Sequence, residues 1–79
     1  MKLELYFHKE CGFSRAVLNT VNNLKISDKI VFKDIREDPD YEKELISIMG
    51  DKQVPTLITD GIPKRESEEI KKFLIANFM

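Results

Sequence analysis

What most limits the folds open to this chain is the order of its apolar periods. Leu3, Leu5 and Phe7 alternate with Glu4 and Tyr6, the two-residue period of a strand. After the lone Cys11 the spacing changes, and Phe13, Val17, Val21 and Leu24 recur at helical intervals, which sets one face of a helix against a core. "KIVFKDI" (29–35) is then a nearly continuous apolar run, as expected of a strand covered on both faces. A strand–helix–strand opening implies a right-handed parallel crossover.

The remainder supplies a helix, a hairpin and a last helix. Asp38 followed by Pro39 makes a helix start, with Asp38 as N-cap and Pro39 at the first position. Tyr41, Leu45, Ile48 and Met49 give that helix a buried stripe, and Gly50 is its C-terminal stop. "VPTLITDGIPKR" (54–65) reads as two strands joined at Asp60-Gly61, a dipeptide suited to a tight hairpin turn. Pro63 lacks an N–H, so the second of these strands belongs at a sheet edge, where Lys64 and Arg65 discourage edge-to-edge association. Ser67 is expected to cap the last helix, with Glu68 and Glu69 in its first turn and Ile70, Phe73, Leu74 and Phe78 on its apolar face. The order is β-α-β-α-β-β-α, an α/β fold with a four-stranded mixed sheet and three helices.

With 79 residues and 42% of them hydrophobic, one domain over residues 1–79 and a compact core are expected. A single cysteine forms no internal disulfide, and one chain alone cannot build a zinc finger or an iron–sulfur cage from it. Basic and acidic residues number 13 and 14 and are well mixed, so nothing suggests a nucleic-acid or membrane surface. "MKLELYF" is too short and too charged for a signal peptide, and no apolar run approaches spanning length. A cytoplasmic, reducing location is the expectation, in which an exposed thiol stays reduced.

Cys11 falls between strand and helix, where the first backbone N–H groups of the helix are unpaired. The helix dipole there favours thiolate, the attacking species, and Lys9 and Arg15 add positive charge while Glu10 opposes it. The residues alone leave two readings open, an inert small core residue or a reactive thiol.

"CGFS" (11–14), "QVPTL" (53–57) and "RESEEI" (65–70), in this order and spacing, resemble a glutaredoxin across essentially the whole chain. The resemblance implies a thioredoxin-like fold and use of glutathione. It implies that Val54 offers its backbone to the cysteine moiety of glutathione, that Pro55 is cis beside the thiol, and that Glu66 and Ser67 meet the γ-glutamyl end. A helix N-terminus binds a carboxylate through free N–H groups, and Glu66 can accept from the ligand's ammonium; the alternative is that Ser67 only caps the helix and Glu66 is a solvated charge. Phe13 joins the glutathione-binding set, and Lys9 and Lys52 are candidates for the glycine carboxylate, each equally readable as a surface lysine. The Glu-Ser pair before a helix is also similar to the N-terminal domain of glutathione transferases and to short bacterial glutaredoxins. Family members with "CGFS" usually carry a lysine well upstream, a Trp-Pro dipeptide and a Gly-Gly-Cys-Asp stretch; this chain has no tryptophan and has "RES" where the glycines would be. His8 stands where dithiol members commonly place lysine, either as a base or ligand or as an ordinary polar residue at a strand end.

Ser14 replaces the second thiol of a dithiol enzyme, which closes release of substrate by an internal disulfide. Three functions remain. The first is monothiol exchange, in which Cys11 takes a glutathionyl group from glutathionylated protein substrates and a second glutathione releases it from a monomer. The second is a [2Fe–2S] carrier in which two copies each give Cys11 and two glutathiones complete the four thiolates. The third is a non-catalytic glutathione-binding redox sensor.

Overall fold

The structure is a computed structural model describing residues 1–79. Strand β1 (Leu3–Phe7) is followed by helix α1 (Gly12–Leu24), a short 3-10 turn (Ser27–Lys29) and strand β2 (Ile30–Asp34). Helix α2 (Pro39–Met49), strands β3 (Thr56–Thr59) and β4 (Ile62–Lys64), and helix α3 (Ser67–Phe78) complete the chain. One sheet holds all four strands in the order β2-β1-β3-β4. β1 and β2 are parallel, whereas β3 runs antiparallel to both β1 and β4. This is the α/β, mixed-sheet, three-helix fold expected of the sequence, and it is thioredoxin-like.

Side-chain alternation on β1 divides the core between the two faces of the sheet. Leu3, Leu5 and Phe7 join Val17 and Val21 of α1, Ile70 and Leu74 of α3, and Leu57 in one buried cluster. Tyr6 points the other way, into a cluster with Ile35, Ile58 and Leu45 of α2. Its hydroxyl donates to Glu44 Oε1 at 2.8 Å, and Lys33 Nζ donates to both Tyr6 Oη (3.3 Å) and Glu44 Oε1 (2.8 Å). Left unpaired, a buried hydroxyl costs about 1–3 kcal/mol; here it ties α2 to the sheet.

The sequence reading is corrected at four places. First, the strand covered on both faces is β1, and the apolar run of 29–35 forms an edge strand with Val31 and Phe32 partly exposed. Only α2 covers the second face, and the buried cluster there is Tyr6, Ile35, Leu45 and Ile58, to which Val31 does not belong. Second, Phe13 does not join the core face of α1. The helix starts beyond the C-terminal end of β1, so its first turn overhangs the sheet; Phe13 is 69% exposed and Ser14 takes the fully buried place. Third, Ile48 is exposed, and the stripe of α2 is Tyr41, Leu45 and Met49, a row four residues apart that shares one face of the helix. Fourth, Ser67 is the first residue of α3 and not its cap, a position taken by Glu66.

The turns follow their chemistry. Asp38 accepts from the Asp40 N–H at 2.9 Å with Pro39 at the first helical position, and Gly50 ends α2 at φ 80°. Asp60 and Gly61 both have positive φ in the β3–β4 hairpin, as a type I′ turn requires. Pro63 lies on edge strand β4, opposite Ile58.

Candidate active site

Cys11 is the N-cap of α1, with extended backbone (φ −84°, ψ 120°) and no side-chain cap on the helix. A tight turn from β1 brings it there, closed by the Cys11 N–H donating to His8 O at 3.3 Å. The thiol is partly exposed and faces the Val54 carbonyl oxygen, with Sγ 3.9 Å away. Burial raises the thiol pKa, but the Ser14 N–H and hydroxyl, the Phe13 N–H and the Arg15 charge outweigh it. The thiol therefore lies below its ordinary value, as the sequence position at a helix start leads one to expect.

Opposite Cys11 the chain passes through the Val54–Pro55 peptide, which is cis. The approach is fastened by side chains: Asp51 Oδ1 accepts from the Gln53 N–H at 3.0 Å, and Thr56 Oγ1 donates to Gln53 O at 2.8 Å. Arg65 closes a two-pronged pair on Asp51, with Nη1 to Oδ2 at 2.9 Å. The Arg65 guanidinium, followed by the Gln53 N–H, holds the Asp51 carboxyl at a pKa of about 2. This pair ties the loop before Pro55 to the residue that leads into α3.

A cleft of about 120 Å³ opens between these segments, lined by Phe13, Gln53, Val54, Pro55, Glu66 and Ser67. Glu66 enters it at φ 66° and ψ 116°, a backbone region disfavoured for any residue with a Cβ at a cost of about 1–3 kcal/mol. No side chain caps α3, so the first N–H groups of that helix, like those of α1, are left to other partners.

Of the residues singled out in the sequence, Phe13, Val54, Pro55, Glu66 and Ser67 line one cleft, and Cys11 stands at its edge against Val54. Lys9 and Lys52 do not line it. Lys9 Nζ lies 3.1 Å from Glu37 Oε1, and the neighbouring Glu10 lies 3.3 Å from Arg36 Nη1. These two exposed pairs have opposite polarity and are individually weak, about 0–1 kcal/mol. Sequence reasoning missed Gln53 and the Asp51–Arg65 clamp. Aspartate and arginine 14 positions apart carry no periodic signal, and only the fold brings them together.

The glutaredoxin family profile matches residues 3–62, and the chain belongs to the glutaredoxin family. No curated protein sequence matches the chain. Among solved structures, an unclassified glutathione S-transferase from Bombyx mori superposes with a TM-score of 0.80 at 21% identity, over 99% of this chain and 36% of that one. An epsilon-class glutathione S-transferase from the housefly, Musca domestica, gives a TM-score of 0.75 at 25% identity, over 98% of this chain and 35% of that one. A mutant of the thioredoxin-like protein BC3987 matches at 0.76 and 18% identity, over 96% of this chain and 100% of its own. This chain thus spans little more than a third of the transferases it resembles. No helix is long and apolar enough to cross a membrane.

Proposed function

We propose that this chain is a single glutaredoxin-like domain that carries out monothiol, glutathione-dependent thiol–disulfide exchange. The observation that carries the reading is the cleft. A thiol with lowered pKa stands beside a polar and apolar groove into which two uncapped helix starts open. A γ-glutamyl-cysteinyl-glycine ligand needs these elements. Its cysteine backbone pairs with Val54, its γ-glutamyl carboxylate takes the N–H groups at the start of α3, and Glu66 accepts from its ammonium. Phe13 and Pro55 cover its apolar atoms. Lys52, which has no ion-pair partner in the chain, is the freer cation for the glycine carboxylate, with Lys9 second because Glu37 engages it.

In the reaction, the Cys11 thiolate attacks the glutathionyl sulfur of a protein mixed disulfide. The protein thiolate leaves, and a second glutathione thiolate then attacks the glutathionyl group on Cys11. With Ser14 in place of a second cysteine, both half-reactions use glutathione. The site fits a reducing compartment such as the cytoplasm, where glutathione is abundant. Turnover of a glutathionylated protein with glutathione as reductant tests this reading. Wild type should release glutathione catalytically and Cys11→Ser should not; equal rates in the two proteins would refute it.

The second reading, a [2Fe–2S] carrier, draws on the partly exposed single thiol at the rim of the same cleft. Nowhere do three His, Cys, Asp or Glu side chains gather as a metal site, so one chain supplies one thiolate of the four required. The donor set fits a cluster only across two copies and two glutathiones. Anaerobic reconstitution with iron, sulfide and glutathione separates the readings: a coloured dimer that lacks exchange activity would put the carrier first.

A further inference from the structure

The two edges of the sheet are finished differently. β4 carries Pro63 and Lys64, residues that discourage pairing with another chain. β2 reads IVFKD in an unbroken register with β1, and Val31 (46% exposed) and Phe32 (36%) stand open on it. The Ile35 N–H donates to Phe7 O at 2.9 Å, and along a parallel edge strand alternate residues bond to the neighbour. Val31 and Lys33 therefore turn their backbone groups to β1, and Ile30, Phe32 and Asp34 turn theirs outward. Two outward groups are already satisfied: the Ile30 N–H donates to Ser27 O, and Asp34 O accepts from the Asp38 N–H at 3.1 Å. The Ile30 C=O, both groups of Phe32 and the Asp34 N–H have no partner in the chain.

We propose that β2 is the interface of a symmetric dimer of this chain, with two β2 strands paired antiparallel about a two-fold axis at Phe32. In that register Phe32 faces Phe32 and exchanges both bonds with it, and each Asp34 N–H meets the Ile30 C=O of the second copy. The groups left without bonds, Ile30 N–H and Asp34 C=O, are the two that the flanking turns already satisfy. The open groups of one strand thus match those of its copy and leave none over. Charge selects the same register. Asp28 comes opposite Arg36, both exposed, twice over by symmetry, and Val31 meets Lys33, whose ammonium is turned to Glu44 at 2.8 Å. Centring the pair on Val31 would set Asp28 against Asp34 and Lys29 against Lys33, and centring it on Lys33 would set that lysine against itself. Arg36 is held at present only by Glu10, an exposed pair that exchanges readily.

The arrangement goes beyond the exchange reading and does not rest on it. The two four-stranded sheets join into one, and the β1 strands of the two copies run in opposite directions. Each Cys11 follows the C-terminal end of its own β1, so the two thiols lie at opposite ends of the joined sheet. From a strand rise of about 3.3 Å per residue and a strand spacing of about 4.8 Å, they are roughly 20 Å apart or more. No [2Fe–2S] cluster can bridge them in this dimer, and each cleft works alone.

The experiment follows reduced, iron-free protein at low salt and rising concentration, by sedimentation equilibrium and by amide hydrogen exchange. Wild type should dimerise, and the Phe32 and Asp34 amides should slow with concentration while Val31 and Lys33, bonded to β1, keep their rates. Asp28→Lys or Arg36→Glu alone should weaken the dimer about tenfold, and the two together in one chain should restore it. Both positions are exposed, so neither change disturbs the core. Phe32→Pro removes the central donor without touching the bonds to β1 and should leave a monomer. A wild type that stays monomeric at every concentration overturns the proposal, as does a dimer whose Phe32 and Asp34 amides exchange unchanged or whose charge reversals do not restore each other. Slowing of those amides only when an extended peptide of another sequence is added also overturns it, and assigns the edge to a different protein. None of these readouts uses glutathione, so failure of the exchange reading leaves them unaltered.

Discussion

The start of α2 and the starts of α1 and α3 solve the same physical problem in opposite ways. Every α-helix leaves its first N–H groups without intrahelical partners. α2 satisfies one internally, through Asp38 accepting from Asp40, and omits another by placing Pro39 at the first position. α1 and α3 have no side-chain cap, and both open at the cleft beside Cys11. A cap is worth about 1 kcal/mol, so these two helices forgo stability that α2 keeps. The donors left open are where a thiolate and a ligand carboxylate need them.

The largest effect that tests this contrast is at Cys11. Cys11→Ser should abolish deglutathionylation and leave the protein folded, because serine is itself a favoured residue at the N-cap position that Cys11 holds; a coupled turnover assay and a urea titration measure the two. Next come paired substitutions at the helix starts. Asp38→Ala should cost about 1 kcal/mol and leave glutathione affinity unchanged. Ser67→Ala should do the reverse, weakening glutathione binding at little cost in stability, because Ser67 is not the cap. Matching losses of stability in the two variants would erase the contrast.

The fold was legible because the apolar periods change where the elements change, and the cap Asp38-Pro39 and the turn Asp60-Gly61 are local chemistry. The position of each strand in the sheet was not. β2 is apolar enough for a central strand but lies at the edge, and Val31 stays outside the cluster that Leu45 of α2 forms with Tyr6, Ile35 and Ile58. At the site, Phe13 has the spacing of a core residue and lines the cleft because its turn overhangs the sheet. Ser67 has the composition of a cap, but Glu66 at positive φ starts the helix one residue earlier than that reading needs. Backbone conformation of this kind leaves no trace in composition. The resemblance pointed to the Val54–Pro55 peptide and to Glu66-Ser67, whereas the Asp51–Arg65 clamp exists only in three dimensions.

That clamp supports a smaller prediction. Asp51 is lowered when folded, so its contribution is complete above the unfolded value of about 3.9 and is lost as pH falls toward about 2. Asp51→Asn should weaken glutathione binding at neutral pH by loosening the loop before Pro55. It should also remove the part of the acid destabilisation that falls in that window, followed by circular dichroism between pH 5 and pH 2. The smallest effect belongs to the cations. Lys52→Ala should weaken binding of glutathione severalfold and less at high salt, as expected of an exposed charge, and Lys9→Ala less still, since Lys9 is engaged by Glu37.

The most direct measurement is an amide titration of the reduced protein with S-methylglutathione, whose blocked sulfur prevents exchange. The account predicts that the amides of Phe13 and Ser14 at the start of α1, of Val54, and of Ser67 and Glu68 at the start of α3 shift together along one binding curve. Those of Asp40 and Tyr41 at the start of α2 should stay in place. Shifts confined to α2, or none at the starts of α1 and α3 at saturating ligand, would contradict it.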